Sequence, residues 1–280
     1  MKLKDLLKGG LLGGGIMLFA LLGMEYAQVL DWLLPKNLSS LGILLLIVSF
    51  ILAPIFAILM HELGHLLMGL FLGFRFYFFV VGFLGIRRNK QGKIEIYLNR
   101  SLELFGGVAA TAPLKDSPQN IPKFAQVIIA GPIASLLFAL LVFALSFAFS
   151  EITRMFLVIS GISSLGIFLA TTLPRKTGVF FTDRVRYQRL TQNQQTAEIE
   201  AALMRCNIEI LTENSFKNLK TNDLALIQSD KDDFIKLLGH FFAYKHYQEN
   251  NQTDLASTEK ELIQKFEKII SPAMMRFLEE

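Results

Sequence analysis

From Phe124 to Ser150 the chain runs 27 positions without a charged side chain. Few folds can house such a stretch, because a helix of that length hydrophobic all round needs a large protein core or lipid around it. About 20 largely apolar residues suffice to cross a bilayer. Three more runs of this kind are present. Residues 9–34 carry only Glu25 and Asp31 as charges, residues 41–60 carry none, with apolar character continuing past His61 to Gly73, and residues 155–174 carry none up to Pro174. No comparable run follows Asp183. The expected fold class is an α-helical integral membrane protein with about four transmembrane helices, over about 9–34, 41–73, 124–150 and 155–174.

Composition agrees. The chain is 52% hydrophobic and 19% charged, with 25 Phe, whereas soluble domains carry about 25% charged residues. Disordered chains are apolar-poor and charge-rich, which excludes that class. One cysteine excludes a disulfide scaffold or a multi-Cys zinc site. The net charge of +4 does not point to nucleic acid. Residues 1–183 hold 15 Lys/Arg against 9 Asp/Glu, and residues 184–280 hold 13 against 15. The excess lies in the apolar part, where basic residues mark the cytoplasmic side.

Loop charges set the orientation. Lys2, Lys4 and Lys8 precede the first run. Arg75, Arg87, Arg88, Lys90, Lys93, Arg100, Lys115 and Lys123 lie between the second and third, and Arg175 and Lys176 follow the fourth. The two other connections hold only Lys36 and Arg154. Both termini and the 74–123 segment are therefore expected in the cytoplasm. The first run has a basic start but no small-residue cleavage site after Leu34, so it reads as an uncleaved anchor. Its Gly9/Gly13 and Gly10/Gly14 spacing permits either close helix packing or a frayed end.

Residues 74–105 read as a hairpin or small sheet at the membrane surface, with alternation over Lys93–Leu98 and a polar turn at Asn89–Gly92. An extended peptide can add to such a sheet edge. Residues 111–122, with Pro113, Pro118 and Pro122, read as a loop. The tail shows helical periodicity at Phe234, Leu237, Leu238, Phe241 and Tyr244, and again at Leu262, Phe266, Ile269 and Ile270. Thr258 and Glu261 have capping-box spacing, and Pro272 would end that helix. Two domains are expected: a membrane core over 1–186 and a mostly helical cytosolic domain over 187–280.

The chemistry sits in Met60-His61-Glu62-Leu63-Gly64-His65-Leu66. Histidines at i and i+4 lie one turn apart on one helix face and can share a zinc ion. The glutamate after the first His can act as the general base on water at the metal. A lone His or Glu in a span can serve only to bond a neighbouring helix. Three ionisable residues within five positions of an apolar run are expensive there, and mark function.

HELGH in a membrane span, followed by a span containing Ala130-Gly131-Pro132-Ile133-Ala134-Ser135 and then by Thr182-Asp183-Arg184, resembles the site-2 protease family of intramembrane zinc metalloproteases. The resemblance covers roughly residues 41–186. It implies Zn2+ as cofactor, His61 and His65 as ligands, and Glu62 as the catalytic base. It implies Asp183 as the third ligand, with Gly131 and Ser135 supporting the active site or substrate. Arg184 stands where the family usually has Gly. Asp183 also reads as an N-cap for a helix starting near Arg184, and Gly131-Pro132 as a kink. Glu103 and Asp116 are rival third ligands.

The implied activity is hydrolysis of membrane-spanning or membrane-inserted peptides near the cytoplasmic face of a membrane, expected to be a bacterial cell membrane. The lipid bilayer and a cytosolic protein partner for residues 187–280 are the other expected partners; nucleic acid is not. Two alternatives stand beside it. One is a catalytically inactive relative acting as a peptide-binding or partner-binding scaffold. The other is a transporter component using membrane His and Glu as a proton relay.

Overall fold

The computed structural model describes Trp32 and residues 39–89, 91–101, 104–174, 176–177, 180–213 and 215–266. Glu103, the 269–272 segment and, apart from Trp32, the expected first span lie outside these residues. Among the described residues three helices are long and apolar enough to cross a membrane: α1 (Ser40–Phe71), α2 (Asn120–Ser146) and α3 (Glu151–Thr172). Only 17% of the most apolar window of α1 is buried, against 50% for α2. Leu137, Leu140 and Leu141 of α2 are likewise exposed. Apolar surface on that scale belongs against lipid.

The second expected span stops short of Gly73. Gly73 takes φ +83°, its N–H donates to Leu70, and the Phe74 N–H donates to Gly69. This paired bonding satisfies the orphan carbonyls of α1 with a left-handed glycine. The third span begins earlier than expected, at Asn120. Pro122 falls in its first turn, where a missing N–H costs nothing. Thr111 and Ala112 are strand rather than loop, so the connection narrows to 113–119.

Four strands follow α1: β1 (Arg75–Val81), β2 (Leu84–Arg88), β3 (Ile94–Leu98) and β4 (Val108–Ala112). They form one antiparallel sheet in the order β3-β2-β1-β4. The β2–β3 turn is made by Asn89, whose Oδ1 accepts from the N–H groups of Gln91 and Lys93, and by Gly92 at φ +79°. Ile94, Ile96 and Leu98, on one face of β3, are exposed. An uncovered apolar row suits the membrane surface expected for this segment.

A short ribbon, β5 (Lys176–Thr177) with β6 (Phe180–Phe181), leads into five helices: α4 (Asp183–Thr191), α5 (Gln194–Glu213), α6 (Thr221–Gln228), α7 (Asp233–Glu249) and α8 (Thr253–Gln264). Ile199, Ala202, Leu203 and Cys206 of α5 have the 3–4 spacing of one helix face. They close a core with Leu224 and Ile227 of α6 and Ile235, Phe242 and Ala243 of α7. Asp232 caps α7 by accepting from the N–H groups of Phe234 and Ile235. The Thr258/Glu261 spacing is not a cap. Helix α8 begins at Thr253, and the Thr258 hydroxyl donates to the Asp254 carbonyl inside it. Leu237 and Ile263 pack together, and with the His240–Glu259 pair at 2.7 Å they hold α8 on α7.

The chain divides into two compact units. One contains 1–60 and 135–168, the other 61–134 and 169–280. In the first, Phe56 stacks against Phe138 and Phe156, and Gly161 lies against the Phe143 ring. In the second lie the end of α1, the sheet, the start of α2 and the helical tail.

Candidate metal centre

All of the chemistry-bearing residues of the HELGH motif lie in the second unit. His61 and His65 project from the same face of α1, both buried, with Nε2 atoms 3.2 Å apart. Asp183, far away in sequence, brings its Oδ2 to 3.2 Å from His61 Nε2 and 3.7 Å from His65 Nε2. Among the described residues no hydrogen-bond donor is aimed at that buried oxygen. Three donor atoms around one tetrahedral zinc, at about 2.0–2.1 Å each, would sit about 3.3 Å from one another. The observed separations and the two-nitrogen, one-oxygen set therefore fit a catalytic zinc, whose fourth position stays open.

Neighbouring groups hold the ligands in place. The carbonyl of Val127 in α2 lies 2.8 Å from His65 Nδ1. Nδ1–H donates to it, which leaves the Nε2 lone pair facing the other two donors. Pro132, one turn on, cannot donate to the Ile128 carbonyl, so the α2 hydrogen-bond ladder is open at this level. The Lys123 ammonium donates to the Leu72 carbonyl at the end of α1, at 3.2 Å. Small residues bring the two helices together: a Cβ on Gly64 would meet the Ala130 carbonyl oxygen and the Ala134 Cβ, both at 2.6 Å.

Gly131 is closer still. A Cβ there would lie 2.2 Å from His65 Nε2. Gly131→Ala is therefore expected to turn the imidazole away and weaken zinc binding about 10- to 100-fold, the usual cost of disturbing a ligand's support. Thermal unfolding of the same variant should change little by comparison. Zinc affinity equal to wild type would show that the ring can shift without loss. Ser135 lies in the other unit, fully buried. Its carbonyl accepts from the Ser164 hydroxyl at 2.8 Å.

Glu62 is buried beside the two histidines and outside the donor triad. Its carboxylate lies beside the backbone of Ala109 in β4. The edge of the sheet nearest this carboxylate is thus β4. The alternating 93–98 segment, β3, forms the opposite edge.

Asp183 is the first residue of α4. The cap position belongs to Thr182, whose hydroxyl turns back to the Leu173 carbonyl at 2.9 Å. The Asp183 side chain is thereby freed from capping. Arg184 follows within the helix and not at positive φ, so this position does not require glycine's conformational freedom. Asp116 is elsewhere, lining a cavity of about 220 Å³ with Asn120, Met204 and Arg205. Sequence reasoning missed Val127, Lys123 and Ala109. Two of these act through backbone atoms and leave no side-chain signature.

The family model for Peptidase family M50 matches residues 49–275. The match includes the helical tail as well as the HELGH helix and Asp183. Comparisons with curated proteins and with solved structures give no match. The chain belongs to peptidase family M50, the site-2 protease family.

Proposed function

We propose that this chain is an intramembrane zinc endopeptidase that cuts membrane-spanning or membrane-inserted peptides near the cytoplasmic face of a bacterial cell membrane. The observation that carries the reading is the convergence of His61, His65 and Asp183 donor atoms beside the buried Glu62. In this reading the chain has four spans, cytoplasmic termini, a membrane core over 1–186 and a helical cytosolic domain over 187–280. Gly131 and Ser135 support the active site.

His61, His65 and Asp183 would hold the metal, which when bound would polarise the scissile carbonyl and activate the attacking water. Glu62 takes the proton from that water and returns it to the departing amine nitrogen. The Val127 carbonyl keeps His65 in the tautomer that binds metal. Burial of all three motif residues keeps bulk water from competing with the ordered groups. A substrate helix must unwind before its carbonyls are accessible, and the outer edge of β4 can pair with the unwound strand.

The test is cleavage of a model single-span peptide by the detergent-purified or liposome-reconstituted protein. Cleavage should stop when a zinc chelator is added and return on adding zinc back. A photoreactive version of the peptide should crosslink to β4 in preference to β3. Cleavage that survives complete metal removal would reject the reading, and crosslinks confined to β3 would reject the β4 edge.

A further inference from the structure

Helix α4 has nine residues and starts on Asp183. Isolated helices shorter than about 12–15 residues are marginal in water, so Asp183 stays in place only if other elements hold α4. Its apolar anchoring comes from Leu190 and Tyr187, which share one cluster. Leu190, its one buried residue, packs with Ala125 and Ile128 of α2 and Met204 of α5. Beside this packing the helix is gripped by buried ion pairs. Arg189 reaches Glu200 of α5 through Nε at 2.8 Å, and Asp230 at the entry to α7 through Nη2 at 2.5 Å. Both carboxylates are almost fully buried, at 1% and 2% exposure. Arg186, one turn after Asp183, shares Glu200 at 3.4 Å. The Thr196 hydroxyl of α5 donates to the Arg189 carbonyl at 2.8 Å.

We infer that Arg189, gripped by Glu200 and Asp230, is a positioning residue for Asp183, which makes the C-terminal helices part of the frame of the metal centre. The inference rests on the metal-ligand reading of Asp183. Asp230 also accepts from the N–H of Asp232, the cap of α7, so the grip reaches from α4 through α5 to α7. Whatever displaces Glu200 or the 230–232 turn then displaces Asp183. Residues 187–280 are on this account a regulatory handle on the zinc site.

The experiment uses full-length, detergent-purified protein. Zinc affinity is measured by chelator competition, and the ligand field by the visible spectrum of the cobalt-substituted site. Arg189→Lys keeps the charge but loses the two-pronged fork; Glu200→Gln is the milder disturbance should the first fold poorly. Zinc affinity is expected to fall about 10- to 100-fold in Arg189→Lys, and less in Glu200→Gln, with an altered cobalt spectrum. Arg205→Met is the control. It breaks the Arg205–Asp223 pair between α5 and α6, which does not touch α4. It should lower thermal stability while leaving zinc affinity within about twofold, as for an independent site.

Wild-type affinity and spectrum in both test variants would overturn the inference. So would an equal loss of affinity in Arg205→Met, which would reveal general loosening only. If instead Asp183→Ala binds zinc as wild type does, the ligand reading beneath the inference has failed, and that result is distinct from either of the others.

Discussion

Glu62→Gln is expected to lower peptide cleavage about 10²- to 10⁴-fold while zinc content stays at the wild-type level. The amide has nearly the shape of the carboxylate and keeps an oxygen that can face the Ala109 backbone, so packing around the buried side chain should survive. What it loses is the capacity to take up a proton and release it again. Glu62 stands outside the His61, His65 and Asp183 donor group, so metal content and cleavage should separate in this variant. Cleavage at the wild-type rate would reject Glu62 as the base. Loss of zinc together with activity would mean that the glutamate also holds the metal site together.

Asp183→Ala should weaken zinc binding more than about 100-fold, beyond the cost of disturbing a supporting group, and abolish cleavage with it. Removing the carboxylate leaves two imidazole nitrogens 3.2 Å apart and no third member of the donor group among the described residues, where a catalytic zinc site uses three. Equilibrium dialysis or metal analysis of the purified variant, beside wild type, decides the matter. Wild type should hold about one zinc per chain. Zinc retained in the variant would move the third ligand elsewhere, and Glu103 would then be tested ahead of Asp116, which lines a separate cavity. Because α4 is held by Arg189 and Leu190 as well, the variant should remain folded, and its unfolding temperature provides that check.

The two histidines and the glutamate were legible because helix geometry alone places i and i+4 on one face. The three long apolar helices among the described residues were legible for a similar reason: length without charge admits few alternatives. Boundaries were less so. Gly73 ends α1 two residues earlier than the apolar run suggests, and Asn120 starts α2 in what reads as a proline-rich loop. In the tail, Thr258 and Glu261 match a capping pattern yet sit inside α8. A local pattern was available there, and the packing of Ile263 on Leu237 overrode it.

Asp183 shows the division most clearly. The sequence by itself determined which residue types were present, that three of them lay in an apolar helix, and that an acid followed the last span. It left open whether that acid would cap a helix or face the histidines. Only the tertiary structure decided this, by turning the Thr182 hydroxyl back to Leu173 and by holding α4 through Leu190 and Arg189. It alone placed the Val127 carbonyl on His65, Gly131 against the imidazole and β4 beside Glu62. Spacing along one helix is fixed by covalent geometry and can be read directly. The approach of separate elements is fixed by packing and buried charge summed over the whole chain, and no short stretch of sequence carries that sum.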